Sequence, residues 1–68
     1  MKITQKQLNS AMKSFRMGLD GICMNDAWNK AHFGLTMAEY SAIMKAIHEE
    51  YGDYTLRPCL RRINARLQ

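Results

Sequence analysis

No run of apolar residues in this chain approaches the roughly 18 needed to cross a bilayer, which excludes a membrane-spanning role. The opening residues, MKITQKQ, turn polar at once and lack the apolar core of a secretory signal, so a cytoplasmic setting is expected. Cysteine is scarce. Cys23 and Cys59, in a reducing compartment, are expected as small hydrophobes and not as a bridge. Internal repeats, low-complexity tracts and convincing strand patterns are all missing. So is catalytic furniture: there is no glycine-rich phosphate loop ending in Lys-Ser or Lys-Thr, no histidine pair at i, i+4 and no nucleophile elbow.

Two groupings invite chemistry and fall short of it. On a helix, Glu49 of the run His48-Glu49-Glu50 faces solvent near Lys45, an ordinary i, i+4 ion pair, while His48 borders the apolar stripe. Cys23, His32, His48 and Cys59 are the right types for zinc. Their gaps of eight, fifteen and ten residues, however, lack the short ligand pair that anchors structural sites. Neither an enzyme nor a metal or other cofactor is expected.

What is present starts with residues 34–52, GLTMAEYSAIMKAIHEEYG. Thr36 and Glu39 have the spacing of a capping box, with Leu35 and Tyr40 as its hydrophobic staple. Tyr40, Ile43, Met44, Ile47 and Tyr51 then recur as one buried helical stripe, and Gly52 supplies the left-handed stop. A helix over 37–51 is predicted, on which the other elements must pack.

Thr4 and Gln7 repeat the capping box at the start of a first helix, predicted over 5–23, with a fray or kink allowed at Gly18. Its apolar stripe, Leu8, Met12, Phe15, Leu19 and Ile22, has the 4-3 spacing of a helix–helix seam. That seam serves either the chain's own core or a homodimer with a second copy. Asn25 or Asp26 caps a short helix over 27–33, with Trp28 and Ala31 or His32 toward the core and Gly34 as its end. Thr55 caps a last helix over 56–67 with Pro58 in its first turn and Leu56, Leu60, Ile63 and Leu67 as its stripe. The expected architecture is all-α: one domain over residues 1–68, a small bundle of three longer helices and one short helix. At 68 residues such a chain buries only about 60% of its unfolded surface, so its core is marginal and a partner would help it.

Ten basic against six acidic side chains give a formal charge of +4, which favours nucleic acid or an acidic protein surface. Arg57, Arg61, Arg62 and Arg66 crowd the last helix with Asp53 as the one nearby acid, and are expected to share an outward face. Guanidinium forks suit phosphate oxygens better than a merely solubilising surface requires. Lys6, Lys13 and Arg16 of the first helix extend the cationic set, and Asn64 is available to a base edge. A helix-turn-helix is conceivable with the last helix as reader and Gly52-Asp53-Tyr54 as the turn. The blander account is that the arginines complement the helix dipole and keep the bundle soluble.

A second line starts from apolar residues that fit no stripe. Met17, Met24 and Trp28 near Lys13 form a patch of the kind enriched at protein interfaces, suited to a modulator or inhibitor that docks on a larger host protein. In size and charge the chain has the character of the small regulatory or accessory proteins that phages and mobile elements encode. The leading expectation is nucleic-acid binding through the arginine-rich last helix, and the alternative is protein docking.

Overall fold

The computed structural model describes residues 1–18 and 25–68. Among these residues it is a small all-helical bundle of four helices: α1, Gln5–Arg16; α2, Asp26–Phe33; α3, Met37–Tyr51; and α4, Leu60–Leu67. Among the described residues there is no strand, and no helix is long and apolar enough to cross a membrane.

Local capping chemistry sets the helix starts. In α1 the Thr4 hydroxyl accepts the Gln7 N–H at 3.1 Å, and the Gln7 amide oxygen accepts the Thr4 N–H at 2.9 Å. Thr36 and Glu39 do the same for α3, at 3.2 and 2.8 Å. Each cap of this kind is worth about 1 kcal/mol. The Asn25 side chain caps α2 by accepting the Trp28 N–H at 2.7 Å. Gly34 and Gly52 end α2 and α3 at φ +71° and +73°.

The core forms around α3, whose Ile43 and Ile47 are fully buried together with Tyr40, Met44 and Ala46. Leu8, Ala11 and Met12 of α1, Ile63 of α4, Leu35 and Ile3 complete it, with Phe15, Tyr51, Leu60 and Leu67 packed at its margin. Leu8 and Met12 are therefore spent within the chain's own core and are not offered to a second copy; Leu19 and Ile22 of the same expected seam lie outside the described residues.

Three expectations are corrected. First, α1 ends at Arg16, not at 23. Gly18 sits at φ +71° and donates to the Phe15 carbonyl at 3.1 Å. Left-handed backbone is open to glycine at little cost and it terminates a helix, however well the apolar register would continue.

Second, α4 begins at Leu60, not at 56. A residue before proline is pushed out of the helical region, so Arg57 cannot join a first turn that contains Pro58. Thr55 instead accepts the Arg57 N–H at 3.3 Å in a local turn, Cys59 is the cap residue, and Leu56 leaves the stripe to stand 60% exposed. The connection between α3 and α4 is then longer than the three or four residues of a helix-turn-helix, which removes that motif.

Third, α2 is rotated from the expected orientation. Its inward residues are Asn29 and Phe33, which meet Ser10 and Ser14 of α1 beside Leu35 and Tyr40. Trp28 lies outside, 46% exposed and stacked on His32 at 4.1 Å, with Ala31 and His32 exposed as well.

Two long-range ties position α4. Tyr51 Oη accepts the Cys59 N–H at 2.7 Å, fixing where the last helix starts. Asn64, buried at 8% exposure, uses both ends of its amide on the Ile3 backbone. It is not available to a base edge.

Candidate nucleic-acid interface

The four arginines near the C-terminal end do not share one face. Arg66 Nε donates to Glu50 at 2.6 Å and its guanidinium also reaches Glu49 at 3.5 Å. Arg62 pairs with the other Glu50 oxygen at 3.4 Å and lies 5.7 Å from the Tyr51 ring centre. The hydrogen bond from Arg66, with the charges of Arg66 and Arg62 behind it, holds the Glu50 carboxyl below its ordinary value. Charge clustering along α4 is thus answered by two carboxylates of α3, one turn of helix packed against the other. Lys45 pairs with Glu49 at 3.9 Å, as the i, i+4 spacing predicts. Arg61 points elsewhere, into a shallow hollow with Lys2 and Gln68.

Arg57 belongs to a different neighbourhood. Because α4 starts late, residues 56–58 run back across α1, and Arg57 joins Lys13 and Arg16 on a groove of about 500 Å³. Leu8 and Met12 form its floor, Leu56 and Pro58 one wall, and Gln5 and Asn9, hydrogen-bonded to each other at 2.9 Å, the far end. Lys13, Arg16 and Arg57 are exposed, and none makes an ion pair among the described residues. Among the described residues no carboxylate lines the groove. Lys6 lies apart from it, on a hollow between α1 and α2 with Lys30 and His32. The cationic set read from the sequence therefore separates into four places, of which one carries three charges that make no ion pair among the described residues.

Of the apolar residues expected at a protein interface, Met17 is 61% exposed and Trp28 46%, and Met24 lies outside the described residues. Two aromatic contacts escaped the sequence reading. Tyr54 packs against Phe15 at 4.9 Å and against His48 at 5.5 Å, over a cleft of about 390 Å³ beside Met44. Its signal in the sequence was a lone tyrosine in a turn, fitting no stripe.

Near the other candidate groups, Lys30 pairs with Glu39 at 3.1 Å. The Thr36 N–H first, and Lys30 after it, hold the Glu39 carboxyl below its ordinary value. Cys59 makes no cap hydrogen bond as a thiol. The N–H groups of Arg62 and Arg61 at the start of α4 favour its thiolate all the same, and pull its pKa down. Among the described residues no three His, Cys, Asp or Glu side chains gather as a metal site would need.

Comparison with protein-family models, with curated proteins and with solved structures returns no match to this chain. The class defined by fold and surface is a small basic helical bundle, and a functional reading has to come from the surface itself.

Proposed function

We propose that this is a non-enzymatic nucleic-acid-binding protein of regulatory or accessory type, which holds the sugar-phosphate backbone in the groove between α1 and residues 56–58. The observation that carries the reading is the convergence of Lys13, Arg16 and Arg57 on one groove, none of them in an ion pair and no carboxylate lining it among the described residues. Arginine forks engage phosphate oxygens in pairs, and each neutralised phosphate releases counterions. Arg61 and Lys6 contribute to the general positive field that speeds encounter, while Arg62 and Arg66 are held back by Glu50. The exposed thiol of Cys59 suits a reducing, cytoplasmic setting.

Fluorescence anisotropy with labelled DNA and RNA tests this. Affinity is expected to fall as salt rises, and Arg16→Ala with Arg57→Ala is expected to weaken binding and reduce the logarithmic salt slope by about 2. Arg61→Ala with Arg62→Ala changes both less. Undetectable binding, or binding indifferent to salt, ends the proposal.

A second reading, docking on an acidic or apolar surface of a larger host protein as a modulator or inhibitor, is favoured by the exposure of Met17 and Trp28. It calls for a stoichiometric protein partner that survives nuclease treatment and is lost on Met17→Glu or Trp28→Ala.

A further inference from the structure

We infer that the nucleic acid held here is single-stranded, and that one of its bases stacks on Tyr54 in the cleft between α1 and α3. The inference rests on the phosphate-binding reading of the groove that holds Lys13, Arg16 and Arg57, and adds the form of its ligand. Tyr54 is a large aromatic on a connecting segment, yet its ring is not loose. Phe15 braces it at 4.9 Å and His48 at 5.5 Å, and the Asp53 carboxylate accepts its N–H at 2.7 Å. Nearly half of its surface nonetheless stays open, facing a cleft of about 390 Å³. A braced, half-exposed ring of this kind is what unpaired bases stack on, with little dependence on sequence.

Chain connectivity keeps two of the charges close to this ring. Arg16 follows Phe15 directly in the chain, and Arg57 lies three residues beyond Tyr54, within about 11 Å even if fully extended. A flexible strand of a few nucleotides can therefore place a base in the aromatic cleft and a phosphate against Arg16 or Arg57, neither of which makes an ion pair among the described residues. The charge complementarity selects a polyanion and the aromatic lining selects one with exposed bases. A duplex satisfies the first condition alone, because its bases are already stacked on one another. Lys45, at the cleft's rim, is engaged by Glu49 at 3.9 Å and remains exposed enough to meet a second phosphate.

The test compares labelled oligo(dT) and oligo(rU) of about 12 nucleotides, a length within the range of single-strand site sizes, with a duplex of the same length. The single strands are expected to bind more tightly than the duplex. Tyr54→Ala is expected to weaken single-strand binding by about tenfold while leaving duplex binding and both salt slopes unchanged, with Tyr54→Phe retaining wild-type affinity. Ultraviolet crosslinking of a bromouracil-substituted strand to the wild-type protein, mapped by mass spectrometry, is expected to place the adduct on Tyr54 or His48. That measurement stands even if Tyr54→Ala does not fold. Equal affinity for duplex, an unaffected Tyr54→Ala, or adducts confined elsewhere overturn the inference. If the Arg16 and Arg57 variants still weaken binding in that case, the phosphate groove survives without the stacking site; if no nucleic acid binds at all, both fall.

Discussion

Asn64 of α4 and Ile3 of the N-terminal segment are joined by two reciprocal hydrogen bonds: the Ile3 N–H donates to Asn64 Oδ1 at 2.8 Å, and Asn64 Nδ2 donates to the Ile3 carbonyl at 3.0 Å. The amide thus imitates a strand partner for a single residue, and it does so where both groups are buried. Ile3, 3% exposed, is in turn held over the core.

Asn64→Ala is expected to destabilise the fold by about 2 kcal/mol or more, because it strands a buried donor and a buried acceptor together. In a domain of this size that corresponds to a fall in Tm of roughly 8–16 °C. Asn64→Asp keeps the acceptor for the Ile3 N–H but sets a second carboxylate oxygen against the Ile3 carbonyl and buries a charge, so at neutral pH it is expected to lose at least as much. Thermal unfolding followed by circular dichroism measures both. Nucleic-acid affinity measured well below both transitions should not change, since Asn64 has no free polar group to offer.

Acid is expected to unfold the protein earlier than its ordinary carboxylates alone would dictate. Glu50 and Glu39 both have pKa values lowered from 4.5, Glu50 chiefly by its hydrogen bond from Arg66, Glu39 chiefly by that from the Thr36 N–H. A carboxylate that binds protons less readily when folded stabilises the fold fully above its unfolded pKa. It gives up that stability as the pH falls through the lower folded value. Stability should therefore be flat at neutral pH and decline below about 4.5, and Glu50→Gln should flatten part of the decline. Urea midpoints taken across that range read the effect directly. A pH-independent midpoint in the acid range would count against both pairs.

Glu50→Gln also decides between the two cationic surfaces. It removes the main partner of Arg62 and Arg66 and raises the net charge by one. If α4 were the reading element, releasing its guanidiniums would tighten binding markedly and steepen its salt dependence by nearly the two charges set free. With the backbone held by Lys13, Arg16 and Arg57, the variant should bind at most a few-fold more tightly, through the general field. A gain of tenfold or more would move the interface to α4.

The parts of this fold that were legible in the sequence are those governed by neighbours in the chain. Thr4 with Gln7, Thr36 with Glu39, the stripe of α3 and its Gly52 stop follow from spacings of three and four residues, and each is present. What could not be read depends on distant partners or on backbone states that periodicity ignores. Arg66 meets Glu50 across 16 residues, and a helical wheel of α4 contains no hint of it. Trp28 is the residue hydrophobicity would bury first on α2. Asn29 faces Ser10 and Ser14 of α1 instead, a choice that depends on residues far away in the chain. Gly18 and Pro58 sit inside well-kept apolar registers, and in both places the backbone preference overrode the register.

Pro58 gives the last of these a test that reaches function. Its ring keeps Arg57 out of the helical region, so α4 cannot start before Pro58, and residues 56–58 are left to cross α1 and carry Arg57 to the groove. Pro58→Ala removes that restriction, and Leu56 then has a reason to rejoin Leu60, Ile63 and Leu67 on one apolar stripe, since its exposed side chain would gain about 1.5 kcal/mol or more by burial. Helical Cα chemical shifts are expected to extend toward Leu56, and the Cys59 N–H is expected to leave Tyr51 Oη for an intrahelical carbonyl. Arg57 is carried off the groove with the new turn, so nucleic-acid affinity and salt slope should fall as they do in Arg57→Ala. Unchanged shifts together with unchanged affinity would mean that Tyr51 and Thr55, through their bonds to Cys59 and Arg57, fix the start of α4 without the proline.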